Sequence, residues 1–205
     1  MGHQINSSMN KIWKYLDIDA HQAISDEVYQ YLADYTDVLL GEKYFVDQSI
    51  HHMLRHCPLL AEFLNSCYLV PERLATITCL SHDEINIHKD FDGEDPYVRI
   101  LWPVKNCQGS KTKFWKVPSG AGHLTIGGYG TRDGSGITSI AFPKNDDYEV
   151  IDEFELSSPL VFDGSVAHSI HPNPNLSGLR VSFTIGFDRD LPISKSIKAW
   201  FGFQR

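Results

Sequence analysis

The pattern of apolar positions changes character about a third of the way along the chain. In the first part, apolar side chains at Ile24, Val28 and Leu32 recur close to the 3.6-residue period of an amphipathic helix. This spacing predicts a helix over residues 20–40. A second apolar stripe predicts a helix over residues 49–66, with Pro58 as a kink or a first-turn residue.

Beyond Cys67, short runs of β-branched and aromatic residues alternate with turn signals rich in Gly, Pro, Asn and Asp. Eight strands are predicted, over residues 73–80, 97–104, 112–117, 123–127, 137–142, 150–156, 159–162 and 179–187. This number and spacing favour a jelly-roll, or double-stranded β-helix, barrel. We therefore expect a mainly β fold in one domain over residues 1–205. Residues 1–67 would supply supporting helices, and residues 68–205 would form the barrel.

Composition narrows the possible functions. The 205 residues carry a net charge of -8, which argues against bulk binding to nucleic acid, and no apolar run has the ~18 to 20 residues that a membrane span needs. The N-terminus shows no secretory pattern, so we expect a cytoplasmic protein in which the four widely spaced cysteines are reduced thiols.

Two histidines are followed two positions later by Asp or Glu. Chance alone would produce about as many such pairs, so the spacing by itself does not indicate a metal site. His82 and Glu84 lie in a polar stretch that reads as a turn. His88 and Asp90 lie in INIHKD, where they alternate with isoleucines on an extended segment. Side chains two apart on a strand share a face, so we expect His88 and Asp90 to lie on the face opposite the isoleucines. From there both side chains could bind one ion.

A third metal ligand must come from a distant part of the chain, and the segment VFDGSVAHSIHPNP offers two histidines. His168 is preferred because it follows the FDGSVA turn, and His171, which already enters the next loop, is its rival. Two imidazoles and one carboxylate match the facial triad of non-heme Fe(II) oxygenases, which leaves coordination positions open. The histidines of HHMLRH (51–56) are interpreted as surface or core residues.

The combination of His-x-Asp, a distal His and Arg-x-Ser resembles the Fe(II)/2-oxoglutarate-dependent oxygenase superfamily. The segments IHKD, RILWPVKNCQGSKTKFW, IDEFELSSPLVFDGSVAHSI and GLRVSFTIGF are similar to a branch of small members found in phages and marine bacteria. This resemblance, which spans residues 73–187, implies that His88, Asp90 and His168 hold Fe(II). It implies that Arg180, assisted by Ser182, pairs with the far carboxylate of 2-oxoglutarate, a task that suits the two-pronged guanidinium.

The resemblance implies a dioxygenase that uses O2 and releases succinate and CO2. The carboxylate of Asp90 favours hydroxylation over halogenation. The group that binds the near end of 2-oxoglutarate is not set by a motif, and Arg99, Tyr97 and Trp102 are its candidates. The expected substrate is a small molecule or a peptide, and GYGTRDGSG is a candidate lid.

Two alternatives stay open at this point. One is a non-catalytic jelly-roll that binds a ligand or serves as a structural module. The other is a cupin-like metalloenzyme that does not use 2-oxoglutarate. The sequence does not indicate an oligomeric state.

Overall fold

The computed structural model describes residues 12–40, 43–90, 97–129 and 137–187. Within these ranges the helices are α1 (His21–Tyr35), α2 (Ile50–His56) and α3 (Pro58–Ser66), with a short 3-10 turn at Val38–Leu40. The strands are β1 (Trp13–Tyr15), β2 (Lys43–Gln48), β3 (Arg73–Cys79), β4 (Ile85–Lys89), β5 (Val98–Lys105), β6 (Lys111–Lys116), β7 (Leu124–Tyr129), β8 (Ile137–Ala141), β9 (Glu149–Glu155), β10 (Leu160–Asp163), β11 (His168–His171) and β12 (Arg180–Gly186).

The strands form two antiparallel six-stranded sheets. The first has the order β1-β10-β5-β12-β3-β2, and the second has the order β7-β8-β4-β11-β6-β9. From β3 to β6 and again from β9 to β12, successive strands alternate between the sheets. This alternation gives the orders β10-β5-β12-β3 and β4-β11-β6-β9, which are those of a double-stranded β-helix. The predicted mainly β jelly-roll with N-terminal helices is confirmed.

The helices cover the outer face of the first sheet. Helix α1 buries Ile24, Val28 and Leu32 along one stripe, as its spacing predicted. These side chains join a core with the outward-facing residues of β5 and β12. The hydroxyl of Ser25 locks α1 onto the sheet, because it donates to the carbonyl of Pro103 (2.7 Å) and accepts from the indole N–H of Trp102 (3.1 Å).

The helix predicted over residues 49–66 is two helices that meet at Cys57. Pro58 occupies the first turn of α3, where its missing N–H costs no hydrogen bond. The carboxylate of Glu27, on α1, accepts from the backbone N–H groups of Leu59 (3.0 Å) and Leu60 (3.1 Å). A side chain from a neighbouring helix therefore supplies the partners that the start of α3 would otherwise lack.

The eight predicted strands correspond to β3, β5 to β10 and β12, with ends displaced by one or two residues. Four strands were not among the eight, namely β1, β2, β4 and β11, although the segment of β4 was expected to be extended from the alternation around His88. Strands β1 and β2 lie in the N-terminal part of the chain and extend opposite edges of the first sheet. No helix among the described residues is long and apolar enough to cross a membrane.

A second core fills the space between the sheets. It contains Leu101 and Phe162 from the first sheet, and Phe114, Phe154 and Ile170 from the second. His168 lies beside this core, with its ring centroid 5.2 Å from that of Phe162. The predicted lid, at residues 128–136, falls outside the described residues apart from its first two positions.

Candidate metal centre

His88, Asp90 and His168 come together inside the barrel. His88 lies on β4, Asp90 directly follows that strand, and His168 begins β11. The strands β4 and β11 are neighbours, and His168 is the register partner of His88. One ligand atom from each of the three residues lies within 4.8 Å of the others, and no other group of three such residues occurs in the described parts of the chain. The cluster is therefore a candidate site for one metal ion.

The two imidazoles are held in the tautomer that leaves Nε2 free to bind a metal. Nδ1 of His88 lies 2.8 Å from the carbonyl oxygen of Asn86, and Nδ1 of His168 lies 2.8 Å from that of Val166. A carbonyl only accepts, so each Nδ1 carries the proton and each Nε2 presents a lone pair. Both Nε2 atoms face Asp90, at 3.8 Å from Oδ1 for His88 and 3.6 Å from Oδ2 for His168.

A β-bulge in β4 sets the direction in which Ile85 points. His168 and Ile170, two residues apart on β11, pair with His88 and Ile85, three residues apart on β4. The extra residue turns Ile85 to the same side as His88, where both line the internal cavity, while Ile87 faces away. The prediction that both isoleucines face away from His88 is therefore correct for Ile87 and wrong for Ile85.

Asp90 is fixed by the turn that precedes β11. Its backbone N–H donates to the carbonyl of Gly164 (2.8 Å), and the N–H of Gly164 donates to the carbonyl of Tyr97 (2.8 Å). The carboxylate of Asp163 accepts from the N–H groups of Tyr97 and Ser165, both at 3.0 Å. Asp163 is a supporting residue that the sequence analysis did not single out, although the turn signal Asp-Gly marked its position.

Arg99 forms a buried ion pair with Asp90. Its Nη1 lies 2.8 Å from Oδ2 of Asp90, and both residues are buried. Burial alone would raise the pKa of Asp90, but Arg99, His168 and His88 outweigh that effect and lower the pKa to about 2. Burial lowers the pKa of His168 to about 4, with His88 acting in the same direction and Asp90 opposing it. Asp90 is thus anionic and His168 neutral at neutral pH, the forms that bind a cation.

His171, the rival third ligand, lies on the opposite face of β11. Its Nδ1 is 3.0 Å from a carboxylate oxygen of Glu84, and its Nε2 is 2.8 Å from the hydroxyl of Ser169. The N–H of the Trp115 indole donates to the same hydroxyl at 2.7 Å. This chain of polar contacts ties β11 to its surroundings on the outside of the barrel. Glu84 is part of this chain and the side chain of His82 is largely exposed, so this second His-x-acid pair does not join the cluster.

Arg180 and Ser182 both face the interior from β12. Nη1 of Arg180 donates to the hydroxyl of Ser182 at 3.0 Å, and both side chains are buried. Nε and Nη2 of Arg180 have no oxygen or nitrogen acceptor among the described residues, although the guanidinium lies within hydrogen-bond reach of the Cys79 thiol. A thiol is a weak acceptor, so a buried arginine here favours a stronger acceptor such as a carboxylate.

An internal cavity of about 390 Å³ contains the metal-ligand candidates. Its other walls are mostly apolar, and they include Leu101, Phe162 and Ile170. Three threonines of the lining, Thr78, Thr112 and Thr184, have buried hydroxyls that lack a partner within the described ranges. Arg180 and Ser182 are not in the lining, but Thr184 lies two residues from Ser182 on the same face of β12.

The remaining candidates divide between the two faces of the first sheet. Trp102 faces the helices and is fully buried there, so it does not reach the cavity. Tyr97 is also buried, and its hydroxyl lies next to the backbone of Gly186. Of the three residues considered for the near end of 2-oxoglutarate, Arg99 alone lines the cavity.

Comparisons with known proteins give similarity at the level of solved structures alone. No family model matches the chain, and no curated protein matches it. The E. coli protein ycfD aligns with 84% of this chain at 13% identity and a TM-score of 0.39, and the match spans 42% of that protein's chain. The alpha-ketoglutarate-dependent epimerase SnoN from nogalamycin biosynthesis aligns with 87% of this chain and 78% of its own, at 13% identity and a TM-score of 0.47.

A prolyl-4-hydroxylase from Pseudomonas putida aligns with 86% of this chain and 87% of its own, at 15% identity and a TM-score of 0.40. Similarity at this level carries no argument about activity.

Proposed function

We propose that this protein is a non-heme Fe(II)- and 2-oxoglutarate-dependent dioxygenase that hydroxylates its substrate. The observation that carries the proposal is the cluster of His88, Asp90 and His168 in an internal cavity, with both Nε2 lone pairs turned toward the carboxylate. Two neutral imidazoles and one carboxylate are the donor set of the facial triad, which suits Fe(II) and leaves positions open for other ligands.

The interior also fits an anionic cosubstrate. Two nitrogens of Arg180 have no oxygen or nitrogen acceptor among the described residues, and Thr78, Thr112 and Thr184 offer hydroxyls without partners there. In this proposal the far carboxylate of 2-oxoglutarate pairs with Arg180, and Ser182 keeps the guanidinium in place. An anion there would supply a strong acceptor for these buried donors.

When bound, Fe(II) would couple the oxidative decarboxylation of 2-oxoglutarate to hydroxylation, with one oxygen atom of O2 entering succinate and the other entering the substrate. The protein's own residues would orient the metal ligands and shield the site from water. The carbonyls of Asn86 and Val166 hold the two imidazoles, Arg99 fixes the Asp90 carboxylate, and the apolar walls limit access of water.

The test is formation of succinate by the full-length protein with Fe(II), 2-oxoglutarate and air. We expect slow succinate release even without the natural substrate, and we expect Asp90→Ala and His168→Ala to abolish it. His171→Ala is the matched control, because this histidine lies three positions from His168 but faces the outside of the barrel. Its succinate release should stay within about twofold of the unmodified protein's.

Succinate release that persists in His168→Ala, or that disappears equally in His171→Ala, would contradict the proposal. Arg180→Met tests the cosubstrate separately. It should raise the concentration of 2-oxoglutarate needed for half-maximal succinate release by at least about tenfold, because a charge-assisted pair is lost.

A further inference from the structure

Among the described residues, the cavity lies between one edge of each sheet. Strand β2 is the last described strand of the first sheet at one side, and β7 is the last described strand of the second. Each contributes one large apolar side chain to the cavity lining, Phe45 from β2 and Ile126 from β7. These side chains remain 47% and 57% exposed, so they form the rim of the opening, which we call the cavity mouth.

The mouth lies close to the candidate metal centre. Strand β8 separates β7 from β4, and its residue Ala141 is the register partner of both Leu124 on β7 and His88 on β4. Ser139, also on β8, donates to the backbone carbonyl of Asp90 and lines the same cavity. A molecule held at the mouth would therefore enter the same cavity as the His88–Asp90–His168 cluster.

The charged groups of the lining are already matched by charges of the protein. Nη2 of Arg73 lies 2.9 Å from a carboxylate oxygen of Asp47, and the Arg73 guanidinium also lies over the ring of Phe45. Arg99 is paired with Asp90 in the same way. An ionic substrate group entering here would lose its hydration and compete with these existing pairs for a counterion, which is costly.

From these observations we propose that the mouth binds the hydrocarbon part of an uncharged substrate between Phe45 and Ile126. The inference rests on the proposed function, and it names the class of molecule that would be oxidised. Apolar side chains exposed at the rim of a cavity commonly mark a ligand site, and a few polar groups then fix the orientation of the ligand. Here two neutral polar groups of the lining adjoin the cluster: Asn86 lies two positions from His88, and Ser139 donates to the backbone carbonyl of Asp90.

Three probes of the same size and shape separate apolar recognition from charge recognition. They are 2-phenylethanol, phenylacetate and 2-phenylethylamine, which are neutral, anionic and cationic at neutral pH. We expect the full-length protein to bind the neutral probe at least about tenfold more tightly than either ion, measured by calorimetry or ligand-observed NMR. Tighter binding of phenylacetate or 2-phenylethylamine, or binding of none of the three, would overturn the proposal.

Paired variants locate the bound probe. Phe45→Ala and Ile126→Ala should each weaken binding of 2-phenylethanol by several-fold. Leu124→Ala is the matched control, since Leu124 lies on the same strand as Ile126 and is 71% exposed but does not line the cavity. Equal losses in all three variants, or no loss in Phe45→Ala and Ile126→Ala, would also overturn the proposal.

If a second copy of the chain covered the cavity mouth instead of a small molecule, a different set of results would be expected. The unmodified protein would then associate with rising concentration in sedimentation, Phe45→Ala and Ile126→Ala would abolish the association, and the proposal would fail. None of these measurements needs iron or 2-oxoglutarate. Failure of probe binding therefore leaves the succinate assay to decide the proposed function, and loss of succinate release leaves the probe result standing.

Discussion

Nη1 of Arg99 lies 2.8 Å from Oδ2 of Asp90, within the interior of the barrel. The carboxylate is the one anion of the candidate metal centre, and the arginine reaches it from the opposite sheet. Gly164 makes room for this contact, because a Cβ at position 164 would lie 2.8 Å from the same Oδ2 and 3.3 Å from Cδ of Arg99. One arginine and one glycine thus determine where the Asp90 carboxylate can point.

Replacing Arg99 by Met should leave Asp90 as an uncompensated buried charge. We expect the free energy of unfolding of the metal-free protein to fall by about 3–5 kcal/mol, as measured by urea denaturation. The double variant Arg99→Met/Asp90→Leu should recover most of this loss, because it removes both charges. A cost below about 1 kcal/mol for Arg99→Met would show that the pair does not hold the carboxylate.

Gly164→Ala should disturb the metal centre through steric conflict alone. The added methyl group collides with the Asp90 carboxylate, so we expect a loss of about 1–3 kcal/mol in stability and at least about tenfold weaker Fe(II) binding. Gly122→Ala is the control, because a Cβ there has no atom within 4 Å. Equal Fe(II) affinity in the two variants, measured anaerobically, would contradict this account.

Arg180→Met should separate ligand binding from folding. Because two nitrogens of this buried guanidinium have no oxygen or nitrogen acceptor in the described structure, its removal should change the stability of the ligand-free protein by less than about 1 kcal/mol or increase it. The rise in melting temperature produced by 2-oxoglutarate with Fe(II) under nitrogen should disappear.

Arg73→Met serves as the comparison for this experiment, since Arg73 also lines the cavity but pairs with Asp47 near the surface. It should retain the melting-temperature shift. If Arg180→Met keeps the shift as well, the carboxylate of 2-oxoglutarate does not bind to Arg180.

Thiol reactivity should follow burial. Burial, with a smaller contribution from Glu27, raises the pKa of Cys57 to about 12, and burial also raises the pKa of Cys79 in spite of Arg180. Because the thiolate is the reactive form, a thiol reagent at mildly alkaline pH should modify Cys67 first, and the buried cysteines only on unfolding in urea.

The variant Cys67→Ser should therefore remove the fast phase of thiol modification. Modification of Cys57 at the same rate as Cys67 in the native protein would mean that α2 and α3 open more readily than their packing indicates.

The sequence predicted the features of the fold that depend on local pattern. The strand alternation around His88 and Asp90 correctly indicated a shared face, because side chains two apart on a strand point the same way. The orientation of Ile85 was predicted wrongly, since the bulge in β4 arises from its pairing with β11 and leaves no mark in the segment itself. The second helix divides at Pro58, which the sequence marked as a kink or a first-turn residue, while the acceptors for the start of α3 come from Glu27 on another helix.

The contacts that complete the candidate site connect distant parts of the chain. His168 and His171 could not be separated by spacing alone, and the structure distinguishes them because one faces the interior and the other faces Glu84. The pairing of Arg99 with Asp90 requires two strands of different sheets to face each other. Such relationships follow from the topology of the barrel, which local periodicity does not specify.

The most direct test of the central claim is anaerobic equilibrium dialysis of the full-length protein against Fe(II). The account predicts one Fe(II) per chain, lost in His88→Ala, Asp90→Ala and His168→Ala and retained in His171→Ala, with all four variants folded by circular dichroism. Full Fe(II) binding by any of the first three variants, or no binding by the unmodified protein, would contradict it.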